Sequence, residues 1–309
     1  MQITAAQVKE LRDKTGAGMM DAKKALTEAE GDMEKACEVL RQKGIASAEK
    51  KSGRTAAEGQ VYAFVSDNRK EGVVLELNCE TDFVAKGDAF QDLLQVISKQ
   101  ILEQKPADLD ALLALTIDGK SVQALVTDKI ASIGENISIR RFELYNVAAE
   151  GALHSYIHTG GRVAVLVEMK AGQAKTTDSE GFKVLIKDLA LQIASAAPEF
   201  VTRAEISPLV IETETRVEMG KEDLANKPEE IRRKIVDGRV TKLLGQRCLV
   251  EQPFVKDPSM TIEELVQSKA KEFGDSELAV VRFTRYALGE GIEKKVSNFA
   301  EEVAAAARV

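Results

Sequence analysis

The strongest constraint on this chain is that its middle repeats itself. A hairpin pattern, Gln60-Val61-Tyr62-Ala63-Phe64-Val65, turns at Asp67-Asn68-Arg69 into Gly72-Val73-Val74-Leu75-Glu76-Leu77-Asn78. A helical face of Phe90, Leu93, Leu94, Ile97 and Ile101 follows and stops at Pro106. Two further helical stretches lead to Gly134, and Ile137 to Tyr145 alternates as a strand. The same order then returns after roughly 90 residues, longer than a solenoid repeat. Gly151-Ala152-Leu153-His154-Ser155-Tyr156-Ile157 and Gly161 to Glu168 make the second hairpin. Phe182, Leu185, Ile186, Leu189 and Ile193 make the second helical face, ended near Pro198, and Leu278 to Phe283 echoes Ile137 to Phe142. A hairpin cannot bury its apolar face alone, so each copy is expected as a small antiparallel sheet packed with helices, an α+β architecture.

The second copy closes late, with the excess between Ser207 and Cys248. Ser207-Pro208 reads as an N-cap with proline in the first turn, and Asn226-Lys227-Pro228 as a turn between two charged helices running to about Leu224 and Leu244. An inserted helical hairpin is implied, with self-contact, partner contact and plain solvation all open. Ahead of the duplication lies a three-helix unit. Thr4 and Gln7 form a capping-box start, Gly16-Ala17-Gly18 breaks the first helix, a second runs from about Met20 to Glu28, and Gly31-Asp32 opens a third that Gly44 is placed to end. The expected organisation is therefore a helical domain over 1–46, a linker over 47–59, core subdomains at 60–148 and 149–206 plus 249–288, the hairpin at 207–248, and a C-terminal helical module over 289–309.

At 309 residues, two or three folded units are the natural expectation. Cys37, Cys79 and Cys248 form no CxxC pair, which argues against a disulfide framework and a zinc site. The net charge of −7, with bases interleaved among acids, argues against a broad nucleic-acid surface. No apolar run reaches membrane-span length, and the opening Met1-Gln2-Ile3-Thr4-Ala5 lacks signal or transit character, so the expected location is cytoplasmic, a trimmed organellar start being the alternative. No phosphate-binding loop, dinucleotide fingerprint or nucleophile elbow is present. His154 and His158 lack a third ligand, so neither a metal nor a cofactor is expected.

Two segments are poorly explained by structure alone. In Leu11-Arg12-Asp13-Lys14-Thr15-Gly16-Ala17-Gly18-Met19-Met20-Asp21 a methionine pair follows a glycine-rich break in a bundle too small to bury it; adaptable methionines suit a protein contact, although ordinary core methionines are an equal reading. In Glu76-Leu77-Asn78-Cys79-Glu80-Thr81-Asp82-Phe83-Val84-Ala85-Lys86 a strand ends at a turn carrying a phenylalanine. Such a residue either folds back onto its sheet or acts as a wedge in a partner; residue type alone favours folding back, with Asp82 then a simple cap.

These two segments resemble the two signature motifs of bacterial elongation factor Ts, in their order and separation. The resemblance continues through Ile133-Gly134-Glu135-Asn136 and the strand after it, the Ser155-Tyr156-Ile157-His158 turn, the stretch Arg247 to Val255, and Gly289-Glu290-Gly291. It implies a guanine-nucleotide exchange factor for elongation factor Tu, with no covalent chemistry of its own. It also implies an N-terminal domain related to ubiquitin-associated folds. Asp82 and Phe83 would be the exchange wedge, flanked by Thr81 and Val84. Leu11, Arg12, Met19 and Met20 would hold a helix of the partner, and Ile133, Gly134, His158 and Val255 would touch another of its domains. A homodimer through the hairpin is a further implication, while direct nucleic-acid or membrane contact is not. Ala171 to Gly181 departs from the family pattern as a lengthened loop. The rival readings are an adaptor that tethers without changing nucleotide affinity, and an enzyme using scattered carboxylates, for which no pair has persuasive spacing.

Overall fold

The computed structural model describes residues 3–147 and 150–293. Three helices open the chain: α1 (Ala5–Thr15), α2 (Met19–Glu28) and α3 (Met33–Ser52). Then come β1 (Glu58–Val65), β2 (Glu71–Cys79), α4 (Asp82–Ala85), α5 (Asp88–Gln104), α6 (Leu109–Ala114), β3 (Thr116–Ile117), β4 (Lys120–Ser121), α7 (Val122–Ile133) and β5 (Ser138–Asn146). The second half runs β6 (Gly151–Ile157), β7 (Val163–Lys170), α8 (Ala174–Asp178), α9 (Glu180–Ala196), α10 (Pro208–Met219), α11 (Glu229–Arg247), β8 (Pro253–Phe254), β9 (Asp257–Thr261), α12 (Ile262–Phe273) and β10 (Ala279–Ala287). The main sheets are ordered β1-β2-β5 and β10-β7-β6, and β3-β4 and β8-β9 are two-stranded ribbons. The expected C-terminal helix over Lys294 to Val309 lies outside the described residues.

The chain divides into two compact units, one of residues up to Tyr62, Leu75–Phe142 and the segment from Ala287, the other of Ala63–Val74 and Glu143–Tyr286. In the first, α1 to α3 close over Val8, Leu11, Ala22, Ala25, Leu26 and Ala36. The Thr4–Gln7 capping box forms, Gly16 ends α1 in the left-handed region at φ 70°, and Asp32 caps α3 through the Glu34 and Lys35 N–H groups. Gly44 does not end α3. It is buried mid-helix, and a Cβ there would meet Ala131 Cβ at 3.3 Å. The missing side chain lets α3 lie against α7, and that contact carries the helix to Ser52, into the segment expected to be linker.

α5 and α9 bury the two predicted faces in full, and each has 17 residues. Both end on a non-glycine left-handed residue, Lys105 and Ala197, directly before the proline that cannot extend the helix. In the second unit, α9 lies on β6 and β7, and Phe182, Leu185, Ile186 and Leu189 pack with Val165, Val167 and Met169. Those strands are antiparallel, pairing Gly151 with Lys170 and Ile157 with Ala164. The duplication extends to details that residue type alone does not reveal. Glu76 on β2 takes a hydrogen bond from Arg141 on β5, and Glu168 on β7 takes one from Arg282 on β10, both at 2.7 Å. Gly59 and Gly151 each let a neighbouring backbone pass where a Cβ would sit 2.2 and 2.5 Å from a carbonyl oxygen. The stretch expected as a lengthened loop, Ala171 to Gly181, holds α8, which occupies in the second copy the place of α4 in the first.

The insertion is a helical hairpin of α10 and α11 around Leu224, Val236, Val240 and Leu244. Its first helix stops at Met219 and a short 3-10 turn, Glu222–Leu224, completes the run expected as one helix. No described helix is long and apolar enough to cross a membrane.

Candidate functional site

The strand β2 delivers the chain to a single exposed helical turn. At its end Cys79 is fully buried and donates its Sγ–H to the Thr81 carbonyl at 3.1 Å. Burial, with the Glu135 charge adding to it, pushes that thiol up to about 12, so it stays a neutral donor. Thr81 is extended, at φ −125° and ψ 150°, and its hydroxyl caps α4 by accepting the Val84 N–H at 3.3 Å. α4 turns Ala85 inward and leaves Val84 half-buried. Asp82 pairs with Lys86 at 2.7 Å, both side chains largely in solvent. Phe83 is 85% exposed, the most exposed large apolar side chain among the described residues. The expectation that it folds back onto its sheet is overturned: the inward position of this turn belongs to Ala85. Covering such a ring is worth about 2 kcal/mol, and the first unit offers it no cover.

The loop between α7 and β5 holds this turn in place. Gly134 ends α7 in the left-handed region, φ 92°, with its N–H on the Ile130 carbonyl. That reversal points Glu135 back across the end of β2. Its Oε2 accepts the N–H groups of Glu80 and Thr81 at 3.1 and 3.0 Å, and its Oε1 accepts the Thr81 hydroxyl at 2.6 Å. Glu80 reciprocates by accepting the Asn136 N–H at 2.7 Å, and the Asn136 amide donates to the Arg54 carbonyl at 2.8 Å. Sequence reasoning named Ile133 and Gly134 but missed Glu135. The one available signal was an acid directly after a helix-ending glycine, which does not say which backbone it will meet.

A second interlock sits further down the same strand. Glu76 is fully buried yet ionised, receiving Arg140 at 2.9 Å, Arg141 at 2.7 Å and the Gly289 N–H at 2.8 Å. Burial alone would raise its carboxyl; the Gly289 N–H and the two arginines outweigh it and hold the group below the ordinary range. Gly289, at φ 70°, stands where a Cβ would lie 2.6 Å from the Ala57 carbonyl oxygen. The buried acid thus fixes the backbone at Gly289.

The N-terminal motif divides in two. Arg12, Met19 and Met20 are exposed, the methionines 51% and 64% so, at the break between α1 and α2. Leu11 is fully buried in the three-helix core and has no surface to offer a partner, which corrects its expected contact role. His158 and Val255 belong to the second unit. His158 shares a 3.1 Å hydrogen bond with the Tyr156 hydroxyl, while Val255, 43% exposed, donates its N–H to Gln192 and borders a cleft with Thr241 and Gly245. Among the described residues no group of three or more histidine, cysteine, aspartate or glutamate side chains is placed to hold a metal ion.

A family model described as Elongation factor TS matches residues 80–290, beginning at the loop that bears Phe83. An elongation factor Ts of Trichlorobacter lovleyi is 47% identical over 310 residues, covering 99% of either chain. The chain belongs to the elongation factor Ts family. Relatives of that name in a Nostoc species and in Clostridium perfringens are 47% and 46% identical, each over 98% of both chains. Membership places the protein among translation elongation factors, in protein biosynthesis. The Elongation factor TS match takes in both Phe83 and Glu135, and the near full-length relatives also span the helical domain.

Proposed function

We propose that this protein is the guanine-nucleotide exchange factor for elongation factor Tu, binding its GDP-bound form and promoting GDP release so that GTP can enter. The observation that carries the reading is Phe83, held out on a capped turn with no apolar cover in its own unit. Phe83 acts as a wedge in the partner's GTPase domain, with Asp82 beside it disturbing the magnesium surroundings of the nucleotide. Thr81 and Val84 shape the turn. Arg12, Met19 and Met20 hold a helix of the same domain, in a three-helix module of the ubiquitin-associated type, and Leu11 supports them from beneath. Ile133, Gly134, His158 and Val255 touch a different domain of the partner, and Gly134 also ends α7 just ahead of Glu135, which fastens the turn. The hairpin's exposed Leu209, Val217 and Ile231 suit self-association.

The thermodynamics require no covalent step. A factor that binds the nucleotide-free partner more tightly than the GDP-bound one must weaken GDP by the same ratio. A thousandfold faster release needs about 4 kcal/mol of differential stabilisation, within reach of one buried aromatic and a perturbed ion site. Release of fluorescent GDP from purified elongation factor Tu tests the reading. Strong acceleration that Phe83→Ala largely removes, in a variant that stays folded, is expected. No acceleration by the intact protein would overturn it in favour of an adaptor.

A further inference from the structure

The two halves of the core fasten the loop after their central strand with the same device. In the first, a left-handed glycine, Gly134, ends α7, and the acid that follows, Glu135, takes two N–H groups and a threonine hydroxyl from residues 80 and 81. In the second, left-handed Gly274 ends α12, and Asp275 takes the Gly172 N–H at 2.9 Å and the Thr176 hydroxyl at 2.6 Å. Asp275 is buried, 2% exposed, and the loop it ties carries no exposed aromatic. Glu135 is half-buried and ties the loop that carries Phe83. One fastener serves the fold alone; its counterpart also serves whatever the tip does.

We infer that Glu135 is a positioning residue for nucleotide exchange, setting the backbone from which Asp82 and Phe83 are presented; this rests on the exchange reading above. α4 has four residues, too few to pay the cost of helix nucleation by itself. Phe83, almost wholly in solvent, contributes no packing that could set its own place. The geometry of the turn therefore comes from its ends: the Thr81 cap at one, and the Gln91 side chain on the Ala85 carbonyl at the other. Thr81 can cap only while it is held extended, and Glu135 holds both its N–H and its hydroxyl. A wedge ordered before contact loses less entropy on binding, so freeing the loop weakens a step made by Phe83 without touching Phe83.

The experiment has two arms on the full-length chain. In the first, amide hydrogen exchange of the free protein is compared between wild type and Glu135→Ala. Faster exchange confined to residues 80–85 is expected, and unchanged protection there overturns the inference whatever the protein does to its partner. In the second, GDP release from elongation factor Tu is measured with Glu135→Ala, Glu135→Gln, Phe83→Ala, the Glu135→Ala/Phe83→Ala double variant, and Asp275→Asn. Glu135→Ala, which removes all three accepted hydrogen bonds, is expected to lower the saturating rate at least about tenfold, since one charge-assisted bond alone is worth about that much. Glu135→Gln, keeping one acceptor oxygen, should fall between it and wild type, and Asp275→Asn should keep the wild-type rate per folded molecule. The double variant should be no slower than Phe83→Ala alone, because both changes act on one element. Full activity in Glu135→Ala, or penalties that multiply in the double variant, would overturn the positioning role while leaving the exchange reading intact. Failure of the wild type to accelerate release would instead sink the exchange reading, and the role built on it, with the hydrogen-exchange arm still deciding the local geometry.

Discussion

Replacing Glu76 by glutamine separates the charge of the buried acid from its shape. Glu76 is 0% exposed, and its two arginine partners keep only 27% and 31% of their side-chain surface in water. Glutamine can keep the Oε1 position, where Arg140 and the Gly289 N–H donate, but must turn an NH2 toward the Arg141 Nε–H, so donor faces donor. Breaking one partner out of a buried pair costs about 3–5 kcal/mol, and a charge-assisted hydrogen bond is worth about 1.5–3 kcal/mol. Because glutamine keeps the bonds at Oε1, one of 3.3 Å from the Asn78 amide included, and water reaches part of both guanidinium groups, the expected loss is about 2–4 kcal/mol. Glu168 supplies the internal control. It occupies the same place in the second copy, but its Arg282 partner is 45% exposed, so Glu168→Gln should cost only about 1 kcal/mol. Urea unfolding followed by circular dichroism gives the comparison, with hydrogen exchange assigning each loss to its unit, since two units need not unfold together. The pH dependence has a definite sign. Glu76 titrates lower in the folded chain than in the unfolded one, so its contribution is complete above the ordinary glutamate value of 4.5 and is lost as pH falls through the folded-state value. The gap between wild type and Glu76→Gln should accordingly be level at neutral pH and shrink on acidification below that value. A loss under about 1 kcal/mol, a loss no greater than that of Glu168→Gln, or a gap that persists in acid would refute the reasoning.

Three further outcomes follow from local geometry. Gly59→Ala should abolish soluble expression or lower the melting temperature sharply, because φ is 130° and the new Cβ would lie 2.2 Å from the Leu77 carbonyl oxygen. Gly16→Ala, left-handed at φ 70° but with nothing within 4 Å, should cost only about 1 kcal/mol in the same melt. An aromatic disulfide reagent should modify Cys37 quickly in the native protein and the other two thiols only after denaturation, since Cys79 and Cys248 are buried and burial raises both. Rapid native labelling of Cys79 would show that the end of β2 opens.

What could be read from the sequence was what repeats or is local. The faces of α5 and α9 follow from apolar spacing, and the Thr4 and Asp32 caps satisfy N–H groups two or three residues away. Gly44 misled because a helix-ending glycine and a glycine that admits a neighbouring helix look alike until that neighbour, α7, is in place. Glu135 stayed hidden for a similar reason, its hydrogen bonds reaching back 54 and 55 residues. Phe83 is the instructive case, since its motif was recognisable and its exposure was not. In a helical turn each residue advances about 100°, so two residues separate side chains by about 200°. Once Ala85 faces inward, Phe83 must face out, whatever a phenylalanine's burial preference. The turn begins at Thr81 rather than a residue earlier or later because Thr81 is the residue held extended, by the carboxylate that follows a left-handed glycine. Moving the cap by one residue would rotate Phe83 by a similar 100° toward its own sheet. The exposure of Phe83 is thus a consequence of register at the N-cap, and the residues that set register are as much a part of the tip as the aromatic ring itself.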